Sequence, residues 1–382
     1  MPVAVFKRKR IRQMKKIFIH AYTAGNLGDD LLVRLLCERY PDVRFRLCAD
    51  ESYHERFRDI KNIEIYAPGD FKTRVINKLI QMVKKQENGI WKYLAKTSFA
   101  SVHIGGSVFV QHFDDFMPFY NMDADLRRLS KRLCVIGANF GPYTDENYYR
   151  MYHELFQSYD GVAFRDKYSF SLFRDLPNVV YAPDVAFNYQ KENKAEPKRQ
   201  VLISVIQIKD RNGKYPISQY AEDYRNFMVD LIKEYVDLNY DIKMVSFCKC
   251  QKDEEEIEEI IGMLEEVYSK RVSTFCYDKN VDACIRLFAE SEIIIGTRFH
   301  SIILGWLYGK KVLPVIYDPK TMHTLEDNCC QLYVELCKLK ETDCKKIISQ
   351  ISEMEEFSPR QLIEESSKQF YALDEILGKG RR

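Results

Sequence analysis

The sequence predicts an α/β protein of two parallel-sheet domains facing each other across a cleft. Three observations carry that expectation. Short apolar, β-rich runs ending in glycine turns alternate with longer segments whose apolar residues recur at helical spacing, as in strands wound with helices. The alternation stops at a polar stretch containing a proline, QKENKAEPKRQ, and then starts again. The chain has 382 residues, enough for two apolar cores of ordinary size.

The first half opens with the strand pattern KIFIHAY and the helix pattern DDLLVRLLCERY. It continues with FASVHIGG, a polar aromatic loop and the helix DADLRRLSKRL, then CVIGANFGPY and ENYYRMYHELFQSY. This is the pattern of a Rossmann-like domain, assigned to residues 1–190, with a linker at 191–200. The second half, 201–350, repeats it: QVLISVIQI, YAEDYRNFMVDLIKEYVDL, DIKMVSFC, the acidic helix KDEEEIEEIIGMLEEVY, VSTFCY, VDACIRLFAES, EIIIG, SIILGWLYG and KVLPVIYD. Within the tail, 351–382, SPRQLIEESSKQFYALDEIL is expected as one helix that packs back across the domain junction. Ligands of such sheets collect outside the carboxyl ends of the strands.

Composition narrows the function classes. Apolar residues make up 46% and charged residues 30% of the chain, as in soluble globular proteins, and no run approaches a membrane span. The basic start lacks the apolar core and cleavage site of a secretory signal, so a cytoplasmic protein is expected. The eleven cysteines have no paired zinc-site spacing. Cys248 with Cys250 and Cys329 with Cys330 lack nearby histidines, and no metal is expected. The net charge of +2 hides a basic cluster from Lys7 to Lys16, either a solvated tail or an anion contact. A second basic stretch, Lys72 to Lys96, carries Ile76, Leu79, Ile80, Val83, Ile90 and Trp91 at helical spacing. Packing on the domain is the first reading, and lying on an anionic membrane face, at the inner membrane surface, the second. The basic stretches contain no nucleic-acid reading motif, so no nucleic-acid partner is expected.

Chemistry is expected at the strand ends. In EIIIGTRFHSIILGWLYG, residues Thr297, Arg298, Phe299, His300 and Ser301 stand between a buried strand and a buried helix. Helix amino ends offer free N–H groups and a partial positive charge suited to phosphate or carboxylate. Arg298 adds a planar donor fork, and His300 can carry a proton near neutral pH. Burying such cations is costly without an opposing anion. Arg165 follows another apolar strand; it can face the same anion or pair with Asp166 or another acid. The first turn offers Gly25, Asn26, Gly28, Asp29 and Asp30, where Asp29 or Asp30 can cap a helix or hold sugar hydroxyls. It matches neither the dinucleotide nor the P-loop pattern. Gly105, Gly106, Ser107, Asn139 and Gly141 form two further turns, where glycine permits close backbone approach or positive φ.

In order, these pieces read G-N-x-G-D-D, I-G-G-S, I-G-x-x-x-G-P, A-F-R-D-x-x-S, A-P-D-x-A-F and G-T-R-F-H-S. The series resembles the polysaccharide pyruvyl transferase family, over nearly the whole chain up to about Asp318. The resemblance implies a GT-B-like pairing of the two domains and transfer of pyruvate from phosphoenolpyruvate onto two hydroxyls of a sugar, as a cyclic ketal. By the same resemblance His300 is the general acid, and Arg298 and Arg165 hold the donor. Thr297, Phe299 and Ser301 join them on the donor side. Acceptor contacts are expected from Asn26, Asp29, Gly105, Gly106, Ser107 and Asn139, with a free or lipid-linked sugar as partner. That chemistry needs a proton donor and fixed cations, and no cofactor is expected. Arg298→Ala is expected to abolish product while leaving the fold intact. A nucleotide-sugar glycosyltransferase and a non-catalytic carbohydrate-binding protein are the competing readings.

Overall fold

The computed structural model describes residues 14–84, 89–190 and 196–380. Lys7 to Arg12, Lys85 and linker residues 191–195 lie outside the described residues. The first sheet contains β1 (Lys15–Ala21), β2 (Val43–Cys48), β3 (Ile63–Tyr66), β4 (Ala100–Ile104), β5 (Leu133–Ala138), β6 (Gly161–Phe164) and β7 (Val179–Tyr181). They run parallel in the order β3-β2-β1-β4-β5-β6-β7. The second sheet contains β8 (Lys198–Ser204), β9 (Asp241–Ser246), β10 (Val272–Cys276), β11 (Ser291–Gly296), β12 (Lys311–Ile316) and β13 (Val334–Glu335). Its order is β10-β9-β8-β11-β12-β13, again parallel. Two doubly wound α/β domains result, and β8 begins three residues inside the stretch read as linker.

Apolar clusters cover both faces of each sheet, and one of them is shared. It runs from Ile17, Leu31 and Ile104 of the first domain through Phe288, Ile302 and Trp306 of the second to Phe370 and Leu373 of the tail. Polar contacts lock the same junction. Leu27 N donates to Phe247 O at 3.1 Å. Asp30, buried in the first helix, accepts from Tyr53 of its own domain at 2.9 Å and from Tyr277 of the other at 2.7 Å.

Several elements depart from the sequence expectation for local reasons. The strands β2, β3 and β7 escape the apolar pattern; in β2 this is because Arg44 and Arg46 interrupt it. Arg46 is nevertheless buried, donating to Thr97 Oγ1 at 2.9 Å. The helix read as starting at Asp123 starts at Met117, where Pro118 occupies its first turn. The acidic helix stops at Gly262 and resumes only as a single turn, Glu266–Ser269. The tail is not one helix either. Between Arg360–Ser366 and Tyr371–Leu377 lies a 3₁₀ turn, Ser367–Phe370. There Gln369 plugs into the first sheet, accepting from Gly137 N at 2.8 Å and donating to Ala182 O at 2.7 Å. Satisfying those buried backbone groups fixes the break.

Candidate active site

A cleft of about 540 Å³ opens where the carboxyl ends of β1, β4 and β6 face those of β9, β11 and β12. Among the described residues four cationic side chains line it: Arg165 from the first domain, and Arg211, Arg298 and Lys320 from the second.

Arg298 is the residue before the helix Phe299–Leu307 and takes extended dihedrals there. Its guanidinium is buried and already paired. Nε donates to Asp253 Oδ2 at 3.0 Å, Nη2 to Asp253 Oδ1, and Nη1 to Gln251 at 2.6 Å. Burial opposes its charge, but Asp253 more than offsets this and raises the pKa above the ordinary arginine value. The anion that permits burial of this arginine is therefore inside the protein. Thr297 and Ser301 do not reach the cleft. The Thr297 hydroxyl meets Tyr224 at 3.0 Å, and Ser301 Oγ contacts Ser204 and the Arg298 carbonyl. Ser301 fastens the turn to β8, and Thr297 fastens it to the helix Ala221–Asp237.

Arg165 has a different acid than its sequence neighbour. Asp166 caps the following helix by accepting from Ser169 N at 2.7 Å, while Arg165 donates to Asp184 at 2.9 Å and to Asn139 Oδ1 at 2.9 Å. Asn139 is buried behind the arginine and orients it. The guanidinium lies 3.8 Å above the Phe299 ring, a cation–π contact that joins the two domains. Gly106 lines the cleft, and a Cβ there would stand 2.4 Å from the Arg165 guanidinium carbon, so glycine makes room for that side chain. Gly105 does not line it; its φ of +151° and its Val108 contact make it a turn residue.

His300 projects across the junction toward the first helix, Leu27–Arg39. A Cβ on Gly28 would lie 2.0 Å from His300 Nδ1, so glycine is what lets the ring sit there. Nε2 is buried without a hydrogen bond among the described residues and stands 3.8 Å from Asp184. Burial lowers the His300 pKa to about 4; Arg165 and Lys320 lower it too, and Asp184 opposes them. Asp29 moves the other way. Burial, with Asp30 beside it, raises its carboxyl to about 7 against the pull of Arg165, Lys320 and Arg298. Two titratable groups in one cleft are thus pushed apart in opposite directions, as acid–base partners require. Asn26 caps the first helix, accepting from Gly28 N at 2.9 Å, so neither Asp29 nor Asp30 is the cap. Ser107 is exposed and accepts from Lys320 at 2.8 Å, closing a bridge over the cleft.

The polysaccharide pyruvyl transferase family model matches residues 26–319, which contain every cleft residue named above except Lys320. The chain belongs to that family. This makes it a transferase of polysaccharide biosynthesis. It is similar to the amylovoran biosynthesis protein AmsJ of Erwinia amylovora, 20% identical over 366 residues, covering 82% of this chain and 86% of that protein. Among solved structures, S. aureus MnaA with UDP superposes with a TM-score of 0.58 at 14% identity, covering 96% of this chain and 99% of that one. HepE of Anabaena, solved with UDP and glucose, gives 0.54 at 11% identity, covering 96% and 98%. These likenesses establish the GT-B-like fold. No described helix of the transferase is long and apolar enough to cross a membrane.

The structure also brings to the site residues that the sequence did not single out. Lys320 and Arg211 complete the cationic wall. Asp184 lies in the A-P-D-x-A-F motif, which was the available signal for it. Asp253 had none, since it heads an acidic run indistinguishable from a solvated helix face. On the first-domain side, His20 of β1 and His103 of β4 are register partners with ring centroids 4.5 Å apart. His103 Nδ1 is 3.3 Å from Asp123 Oδ1, and Tyr152 donates to the other Asp123 oxygen at 2.8 Å. Among the described residues His20, His103 and Asp123 could hold a metal ion, with ligand atoms within 4.8 Å of one another. Trp91 Nε1, however, donates to His20 Nδ1 at 3.2 Å. That bond leaves the His20 proton on Nε2, which makes it a donor rather than a ligand. The site fits a polar ligand held by hydrogen bonds better than a metal.

Proposed function

We propose that this transferase moves pyruvate from phosphoenolpyruvate to two hydroxyls of a sugar in a polysaccharide or its precursor, making a cyclic ketal and releasing phosphate. The observation that carries the reading is the convergence of Arg165, Arg298, Arg211 and Lys320 on the cleft that contains His300 and Asp29. Arg165 and Arg298 are each held in place by a buried carboxylate, Asp184 and Asp253, so their charges face a donor without reorganising.

In this reading the methylene carbon of phosphoenolpyruvate takes a proton, giving oxocarbenium character at the neighbouring carbon. One sugar hydroxyl attacks there and loses its proton. The bond to phosphate breaks, the second hydroxyl closes the ring, and its proton leaves as well. Two C–O bonds and one C–H bond form, one C–O bond breaks, and no oxidant or reductant is needed. His300 supplies the proton once the bound trianion raises its pKa, and Asp29 accepts one from a hydroxyl. The pKa of Asp29 near 7 favours a second assignment in which Asp29 is the acid and neutral His300 the base. Acceptor contacts come from Asn26, Gly106, Ser107, His20 and His103, and the half-exposed Phe119 at the rim offers a ring for a sugar to stack on.

Mass spectrometry of candidate acceptors incubated with phosphoenolpyruvate tests this reading. The expected result is the carboxyethylidene mass increase together with stoichiometric phosphate, both lost in His300→Gln. Thermal shifts with UDP- and GDP-sugars but none with phosphoenolpyruvate would replace this reading with nucleotide-sugar transfer.

A further inference from the structure

The helix Phe71–Lys84 carries two apolar faces, and among the described residues only one is packed. Ile76 rests against the first-domain core, as do Ile90 and Trp91 of the next helix, Gly89–Thr97. Turned away from it are Phe71, Val75, Leu79 and Met82, exposed by 78%, 40%, 58% and 76%. At 100° per residue these four fall within an arc of about 80°. Exposed Arg74 and Lys78 border the arc on one side, and Lys72, 3.4 Å from Glu64, borders it on the other. The helix contains no Asp or Glu. An apolar stripe flanked by cations and free of acids is complementary to one kind of surface, a bilayer with anionic headgroups, where the stripe enters the acyl boundary and the cations meet phosphate.

We infer that this face seats the protein on an anionic lipid surface. The placement suits the cleft. The adjacent helix sends Trp91 to His20, which lines the first-domain side of the cleft, so an acceptor carried on a lipid would arrive beside the site. The inference does not depend on the pyruvyl chemistry, and its test uses no substrate.

Co-sedimentation of the full chain with vesicles of phosphatidylcholine alone, and of equal parts phosphatidylcholine and phosphatidylglycerol, measures it. The wild type is expected on the mixed vesicles and far less on the neutral ones. Arg74→Glu with Lys78→Glu should weaken binding by ~25-fold or more, at about five-fold per cation. Phe71→Ser with Leu79→Ser and Met82→Ser should abolish it, with circular dichroism and melting confirming the fold. Wild type that ignores mixed vesicles, or binding that both variants leave unchanged, overturns the inference. So does a wild-type dimer in light scattering that the apolar variant splits, with vesicles bound by neither, since a second copy would then cover the face.

Discussion

Gly28→Ala offers the sharpest test of how the two domains meet. Gly28 sits in the first turn of a helix, where alanine would add at most the helix-interior gain of about 1 kcal/mol. The new Cβ would lie 2.0 Å from His300 Nδ1. Reaching an ordinary separation of about 3.5 Å requires the ring or the helix to give way by about 1.5 Å. Because His300 is nearly fully buried and the helix is tied to Phe247 and Tyr277 of the other domain, the motion strains the junction. Overpacking of this kind costs about 1–3 kcal/mol, which cancels or exceeds the helix gain. The effect on turnover is larger: displacing a reacting group by about 1 Å costs on the order of 100-fold, or ~2.7 kcal/mol in kcat/KM. Steady-state phosphate release and urea melts of Gly28→Ala, His300→Ala and the double variant give the coupling directly. The stability cost should vanish once His300 is alanine. A single variant that is more stable by the full helix increment and fully active would refute the argument.

The Arg298–Asp253 pair changes what Arg298→Ala should do. Instead of leaving the fold intact, it strands a buried carboxylate and should destabilise by about 3–5 kcal/mol in urea melts; a melt matching wild type would show that the pair is not buried in solution. Binding of phosphoenolpyruvate should be linked to His300. The free-state pKa is about 4 and a bound anion raises it, so the complex holds more protons and affinity rises as pH falls from neutral, by up to about ten-fold per unit. Calorimetric titrations of His300→Gln should lack this dependence apart from the donor's own ionisation. Asp29→Asn should lower kcat by roughly 10²–10⁴-fold and remove the limb of the pH–rate profile near 7; a retained limb assigns it to another group.

Much of the fold was legible because buried parallel strands read as continuous apolar runs, as EIIIG and CVIGA do. β2 was not, since Arg46 finds hydroxyl partners only in Thr97 and Ser98, far along the chain. The site was legible in part. Arg298, His300, Arg165, Asn26, Asp29, Gly106 and Ser107 all come to the cleft or its rim, because strand-end turns must gather at one edge of a parallel sheet. Thr297, Ser301 and Asn139 share those turns yet face inward. Spacing along a turn does not say which way a side chain points.

By itself the sequence determined two doubly wound sheets, the order of the strand-end motifs and hence the family. Local patterning suffices for these, since periodicity and glycine turns act within a few residues. The partners were decided only in three dimensions. Asp253 meets Arg298, Asp184 meets Arg165, and Gly28 makes room for a histidine from the other domain. Charge compensation and steric fit depend on distance in space, and folding brings together groups separated by 45, 19 and 272 positions.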